Sequence, residues 1–347
     1  MDMTTAPARS DRDAFTGQPG NAGRTRTRLY RDGICVLQDF PVADISEHLA
    51  ASGSVVWLDL CRPTPADFAL ASAEFGLHEL AVEDALHEPQ RPKLDRYASH
   101  LFLSAYAVTL DPQGTTLDVA EIAVFITGRA LISVRKDDQF DLAPVLARWD
   151  ASPGLAGHGV SFLLYGLLDH LVDGHFLAVQ QLDEGIEQLE ELLFDERRSQ
   201  AHAVQRRSFA LRKNLVVLRR VVLPMREVLN TLLHRDMHTV EEAMTPYYQD
   251  VYDHVLRVTE WTESLRDLVA TTVETNLTIQ ANRTNMIMKK VTSWAAIIAV
   301  PTAITGFYGQ NLPYPGSGTG WGVVVSTALI TILSTLLYVI FKRKDWL

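Results

Sequence analysis

The residues best suited to chemistry carry amides and hydroxyls rather than charges. Tyr308-Gly309-Gln310-Asn311 closes a long apolar run. Gly309 allows backbones to approach closely, and Asn311 offers a carbonyl oxygen without fixed charge. A ring of such asparagines from several copies of the chain would hold a hydrated cation through its waters, which suits Mg2+ because that ion dehydrates reluctantly. The same four residues also serve as an ordinary loop turn. Upstream, Thr272, Asn276, Asn285 and Thr292 recur at helical spacing, and either line a polar conduit or face solvent. His234 and His238 stand four apart, as a metal-binding pair on one helical face would. No HExxH sequence and no third ligand accompanies them, which argues against a membrane-bound metal-dependent enzyme. A membrane scaffold without transport is another alternative. Residues 30–150 contain no Gly-rich phosphate loop, zinc-type cysteine pair or nucleophile elbow.

These candidates sit on apolar segments. The chain has 347 residues, 47% of them hydrophobic, and a formal net charge of -10. Its mean hydropathy of +0.02 conceals a division. After Lys290 the only charged residues are Lys342, Arg343, Lys344 and Asp345, a net of +2, so residues 1–290 carry -12 of the total of -10. Between them lie two uncharged runs, from Val291 to Tyr308 and from Trp321 to Phe341. Each approaches the roughly 20 helical residues that a bilayer core requires. Neither lies at the N-terminus, which excludes a cleaved signal peptide. Lys289 and Lys290 precede the first run and Lys342–Lys344 follow the second, whereas the connection at 309–320 has no charge. The positive-inside rule then puts both termini in the cytoplasm, with Trp294 and Trp346 near the inner interface and Tyr308, Tyr314 and Trp321 near the outer one. Cys35 and Cys61 are accordingly ordinary thiols in a reducing compartment.

The remainder reads as a cytoplasmic part. Residues 1–28 lack apolar periodicity and are expected to form a disordered tail. Strand-like runs at 34–37, 54–60, 100–110, 121–127 and 130–136 alternate with helix-like stretches at 65–76 and 78–87, giving an α/β domain over 29–150. Residues 151–245 read as a helical hairpin. Leu182, Ile186, Leu189 and Leu193 on one arm, and Leu211, Leu215, Leu218, Val222, Met225, Leu229 and Leu232 on the other, repeat at steps of three and four like a coiled-coil seam. An acidic first arm (Asp183, Glu184, Glu187, Glu190, Glu191) and a basic second arm (Arg206, Arg207, Arg212, Lys213, Arg219, Arg220) suggest charge pairing, with the tip near 195–200 and a kink at Pro224. A stalk helix over 246–308, started by Pro246, runs into the first membrane span. Its stripe of Val251, Val255, Val258, Leu265 and Val269 needs a partner surface, which points to oligomerisation. The fold class is therefore an α+β membrane protein with a helical stalk and two transmembrane helices, the second at 321–341 and followed by a basic segment at 342–347.

The YGQN segment at the end of the penultimate span, followed at the end of the last by KRKDWL, resembles the CorA family of divalent-cation channels, of the two-transmembrane Gly-x-Asn superfamily. EDALHEPQRPKLDRY (83–97), LLYGLLDHLVDGHF (163–176), RKNLVVLRRVVLPMREVL (212–229), PYYQDVYDHVLRV (246–258) and NRTNMIMKKVT (282–292) extend the resemblance over residues 30–347. The resemblance implies a funnel-shaped homopentamer in the plasma (inner) membrane. It implies uptake of Mg2+ down its gradient, with Co2+ and Ni2+ as further ions, and neither enzymatic activity nor a nucleic-acid partner. It places Gly309, Gln310 and Asn311 at an external selectivity filter and Asn285 at an inner polar ring. Met288, Thr292, Ala295, Ala299, Thr302 and Thr305 then line the conduit between them, and Met288 and Val291 fall in a hydrophobic gate. Asp84 and Asp250 match acidic positions that hold regulatory Mg2+ between subunits, with Glu83 and Asp173 nearby. Gln310 departs from the usual Tyr-Gly-Met-Asn loop, and the related zinc-transporting ZntB branch varies there as well. Zn2+ transport, coupled to protons, is therefore the alternative. The uncharged runs hold no Asp, Glu or His to relay a proton.

Overall fold

The computed structural model describes residues 24–86, 91–194, 201–234, 239–310 and 318–347. The assignments at the hairpin tip (195–200), His238, Asn311 and Tyr314, and most of those on the 1–28 tail and the 309–320 connection, lie outside the described residues. The chain divides into two compact units, one ending at Val269 and the other spanning Ala270–Leu347.

The first unit opens with strands β1 (Arg24–Arg31) and β2 (Ile34–Gln38), short helix α1 (Ile45–Leu49), strand β3 (Ser54–Cys61), and helices α2 (Pro65–Phe75) and α3 (Glu79–Leu86). Strands β4 (Lys93–Arg96), β5 (Leu101–Leu110), β6 (Leu117–Ile126) and β7 (Ala130–Arg135) follow, with helices α4 (Ala143–Ala151) and α5 (Pro153–Ala156) after them. The strands form one sheet in the order β2-β1-β3-β7-β6-β5-β4. Among the described residues only the β3–β7 pairing is parallel, so the expected α/β domain is a mixed, mainly antiparallel sheet. Strand β1 also corrects the tail assignment, because residues 24–28 pair with β3 from Arg24 onward. Its alternating Arg and Thr read as a polar tail, yet Thr27 is buried and its hydroxyl donates to the Phe40 carbonyl at 2.6 Å.

Strand alternation sends side chains to two layers. On one face Val56, Leu58, Phe125 and Ile132 pack with Ile45 of α1, Phe68 of α2 and Ala81 of α3. Helix α2 is set by its ends: Thr64 and Asp67 form a reciprocal capping box, and Gly76 closes the helix at φ +62. On the other face Trp57 meets Trp149 of α4 edge-on at 5.4 Å. Beside it, Arg135 donates to both carboxylate oxygens of buried Asp59, at 3.1 and 2.6 Å, and Ser133 adds a third donor at 2.8 Å. Long helix α6 (Val160–Phe194) crosses this face. Gly166 permits the crossing, since a Cβ there would lie 2.5 Å from the Trp149 indole nitrogen.

Helix α7 (Ala201–Leu233) returns along α6, and the leucine seam read from the sequence is buried throughout. Pro224 remains inside the helix. Charge pairing between the arms is absent: among the described residues no α6 carboxylate lies within ion-pair distance of an α7 base. Arg207 instead donates to Gln188, Asp183 accepts from Trp261 at 3.2 Å, and Arg219 approaches Glu263 at 3.6 Å. Trp261 and Glu263 belong to α8 (Thr245–Tyr308), which explains the redirection: a third helix competes for the same charges. Helix α8 also overturns the argument from its apolar stripe. Val251, Val255, Val258, Leu265 and Val269 are all buried within the single chain, so they demand no second copy.

The second unit comprises the rest of α8 and α9 (Gly320–Arg343). Most of its large apolar side chains are exposed, among them Ile298, Trp321, Val323 and Ile332.

Candidate functional site

The described candidate pore residues share one face of α8. Asn285, Met288, Val291, Thr292, Ala295, Ala299, Thr302 and Thr305 are all exposed. The less exposed residues of the same stretch are Ser293, Ala296, Ile297, Val300, Pro301, Ile304 and Tyr308. At 3.6 residues per turn the two sets fall on broadly opposite faces. Helix α9 shows a matching partly covered stripe of Gly322, Ser326, Ile330, Ser334, Leu337 and Phe341. Small residues in such a stripe let two membrane helices lie close. These partly covered stripes are the least exposed surface of the two helices, and the candidate pore residues lie on the bare side of α8.

Backbone bonding shapes that face. Thr302 and Thr305 donate their hydroxyls to the carbonyls of Ile298 (3.0 Å) and Pro301 (2.8 Å). These hydroxyls satisfy their protons on the helix and keep oxygen lone pairs free. Pro301 lacks an N–H, so the helix passes it without the bond to the Ile297 carbonyl. At the end of α8, Gly309 N–H bonds the Thr305 carbonyl at 2.9 Å and Gln310 N–H bonds that of Phe307 at 3.2 Å. A Cβ on Gly309 would lie 3.0 Å from the Thr305 oxygen, so glycine fits the tight turn. Gln310 is exposed, and Asn311 lies outside the described residues. Of the polar stripe, Asn276 accepts from Gln280 at 3.4 Å, while Thr272 is buried and neither lines an open conduit nor faces solvent.

The acidic candidates form two groups in the first unit. Asp84 is held by Lys93 at 2.7 Å, and Lys93 also meets Asp95 at 2.8 Å. Burial pulls the Lys93 ammonium down, but its hydrogen bonds to Asp84 and Asp95 outweigh this and raise its pKa. Glu83 beside it is exposed. Asp173 and Asp250 belong elsewhere, near Tyr165. Burial raises the Tyr165 phenol, Arg148 lowers it, and Asp250, Tyr247 and Asp173 raise it again. Asp250 is 3.7 Å from His254, and Asp173 is 3.7 Å from Arg148, which also pairs with buried Asp169. Among the described residues no three His, Cys, Asp or Glu side chains in one chain are arranged to hold a metal ion. Sequence reasoning missed the cations. Lys93 and Arg148 are brought to these carboxylates by the fold rather than by a local motif.

The profile of a family described as CorA-like Mg2+ transporter protein matches residues 52–343. The cobalt/magnesium transport protein CorA of Thermotoga maritima is 31% identical over 318 residues, covering 90% of this chain and 89% of the relative. The zinc transport protein ZntB of Yersinia pseudotuberculosis is 23% identical over 313 residues, covering 86% and 90%. Among solved structures, the CorA magnesium transporter of Methanocaldococcus jannaschii superposes with a TM-score of 0.71 at 21% identity, covering 84% of this chain and 92% of that one.

Proposed function

The chain belongs to the CorA-like Mg2+ transporter family, and on that premise we propose that it is a channel admitting Mg2+, with Co2+ and Ni2+ as further ions, into the cytoplasm. It is a membrane protein, with α9 and the end of α8 as spans. The observation that carries the reading is the bare face of α8 from Asn285 to Thr305. It offers amides, hydroxyls and methyls but no charge beyond Lys290, and from Ser293 onward it lies opposite a partly covered face. Several copies, five by family resemblance, would bring these faces together around an axis. Asn311 then forms the outer ring, Gly309 and Gln310 shape its mouth, and Asn285 forms the inner ring. Amide and hydroxyl oxygens hold a hydrated divalent ion weakly enough for it to leave, as conduction requires. Met288 and Val291 narrow the conduit with apolar side chains that close it by dewetting.

The driving force requires no nucleotide. An inside-negative potential of 100 mV contributes roughly 2.3 kcal/mol per elementary charge, and about twice that for a divalent ion. With both termini in the cytoplasm, the net -12 carried by residues 1–290 lies on the side the ion enters. Asp84 with Glu83 on one subunit, facing Asp250 with Asp173 on the next, would bind internal Mg2+ and hold a closed interface, and loss of the metal would loosen it. The ZntB relative favours a second reading, Zn2+ uptake coupled to protons. Proteoliposome uptake of Mg2+, Co2+ and Zn2+ at an inside-negative potential, with and without a pH gradient, decides between them. The channel reading expects Mg2+ entry that ignores the pH gradient, and Zn2+ entry that requires the gradient with no Mg2+ entry would overturn it. Gln310→Met in the same assay measures what the departure in the loop contributes to ion ranking.

A further inference from the structure

The turn after α9 is built more completely than a fraying helix end. Asp345 adopts φ +53, Asp345 N–H bonds the Lys342 carbonyl at 3.3 Å, and Trp346 N–H bonds that of Phe341 at 3.0 Å. The two bonds and the left-handed residue between them make a Schellman motif. Its usual apolar contact is also present, since the Trp346 and Phe341 rings stack at 5.7 Å with an interplanar angle of 8°. The turn reverses the chain and brings Trp346 beside α8. There it shares a cleft of about 480 Å³ with Asn285, Met288, Lys289 and Thr292. Three of those four are candidate conduit residues at the cytoplasmic end of the bare face. The indole is partly covered, while Asn285 and Met288 beside it are exposed.

We propose that this turn is a latch and Trp346 a positioning residue for the inner end of the pore. The stacked indole props the α8 segment that carries Asn285 and Met288 and limits the aperture these side chains present to an ion. The inference rests on the pore reading above. Asp345 is the residue on which the latch turns. A left-handed residue is tolerated as Asp, Asn or Gly and is strained for a β-branched side chain. Asp345→Gly and Asp345→Val therefore remove the same carboxylate but differ in whether the turn survives, and both keep Trp346.

The test uses the full chain in proteoliposomes at fixed potential, with assembly checked by size-exclusion chromatography. Trp346→Ala is expected to raise divalent influx about threefold to thirtyfold, the range for residues that act on a site through packing. Trp346→Phe restores the wild-type rate, Asp345→Gly leaves it unchanged, and Asp345→Val raises it as Trp346→Ala does. Unchanged or reduced influx in Trp346→Ala overturns the latch, as does equal behaviour of the two Asp345 variants. Should Trp346→Ala fail to assemble, the Asp345 pair decides alone. A readout independent of transport separates this inference from the pore reading. In a chain with Cys35 and Cys61 replaced by serine, a cysteine introduced by Asn285→Cys should label faster with a water-soluble thiol reagent when Trp346→Ala is added. Wild-type protein that passes no divalent ion sinks the pore reading, whereas an unchanged labelling rate sinks the latch.

Discussion

Helices α6 and α9 are both long and apolar enough to cross a membrane, yet the structure treats them oppositely. The most apolar window of α6 is 67% buried inside the protein, whereas that of α9 is 0% buried and that of α8 only 6%. Helix α6 lies across a sheet and against α7, so its leucines are spent on an internal core. Helix α9 has one partly covered stripe, and its other faces await lipid or further copies. Helix α8 contains the contrast within itself, because its stripe is buried as far as Val269, whereas Leu277, Ile287 and Val291 beyond it are exposed. Length and hydropathy alone therefore do not identify a membrane span. What separates the two cases is whether the chain itself covers the apolar surface.

The largest effect that could break this contrast comes from paired truncations. Leu182→Ala, in the fully buried seam of α6, should cost about 2–5 kcal/mol in chemical denaturation of the full chain. Leu336→Ala on exposed α9 should change that transition by less than about 0.5 kcal/mol. Comparable losses at both sites would mean that α9 is also internal core. Next in size, Ile332→Arg puts a charge on a bare face of α9, where a bilayer centre opposes it by about 2.5–3.5 kcal/mol. The variant is expected to shift from the membrane pellet to the soluble or aggregated fraction after alkaline extraction, and full retention would remove α9 as a span.

A pH effect belongs to the first unit alone. His175 of α6 is fully buried and bonds the Tyr106 carbonyl at 2.7 Å through Nε2, and burial lowers its pKa to about 4. The unfolded imidazole titrates near 6.5, so it takes up its proton first as the pH falls. The stability held by the neutral ring is complete above about pH 6.5 and is lost progressively as the pH falls through about 4, by roughly 3 kcal/mol in all. Denaturation midpoints of His175→Gln should be flatter than wild type across that window. The smallest expected change is Thr64→Ala, which removes a side-chain cap from α2 and should cost about 1 kcal/mol without altering ion flux.

Much of the fold was legible because its signals are periodic and local. The helix-like stretch at 65–76, the strand-like runs at 54–60 and 100–110, and the seam from Leu211 to Leu232 all appear in the amino-acid pattern. Strand β1 was not legible, since its alternating Arg and Thr read as polar chain and mask a backbone paired with β3 along its whole length. Strand β4 spans only Lys93–Arg96, too short and too charged to show alternation. Charge complementarity between the hairpin arms misled because it ignores α8, whose Trp261 and Glu263 take up Asp183 and Arg219. The candidate site was legible in a different way. Helical spacing places Asn285 to Thr305 on one face, but their assignment to a conduit rests on family resemblance. The partial coverage of the opposite face from Ser293 onward adds physical support that spacing alone could not supply. The two acidic groups were legible as carboxylates, while Lys93 and Arg148, which pair with them, are visible only once the chain is folded.

In the proposed channel amides, rather than carboxylates, handle the ion, and Asn311→Ala tests this most directly. Influx of Mg2+ into proteoliposomes at an inside-negative potential should fall at least about tenfold in the variant, with the assembled species unchanged by size-exclusion chromatography. Influx equal to wild type would contradict the account and remove Asn311, and the ring it is assigned to, from the path of the ion.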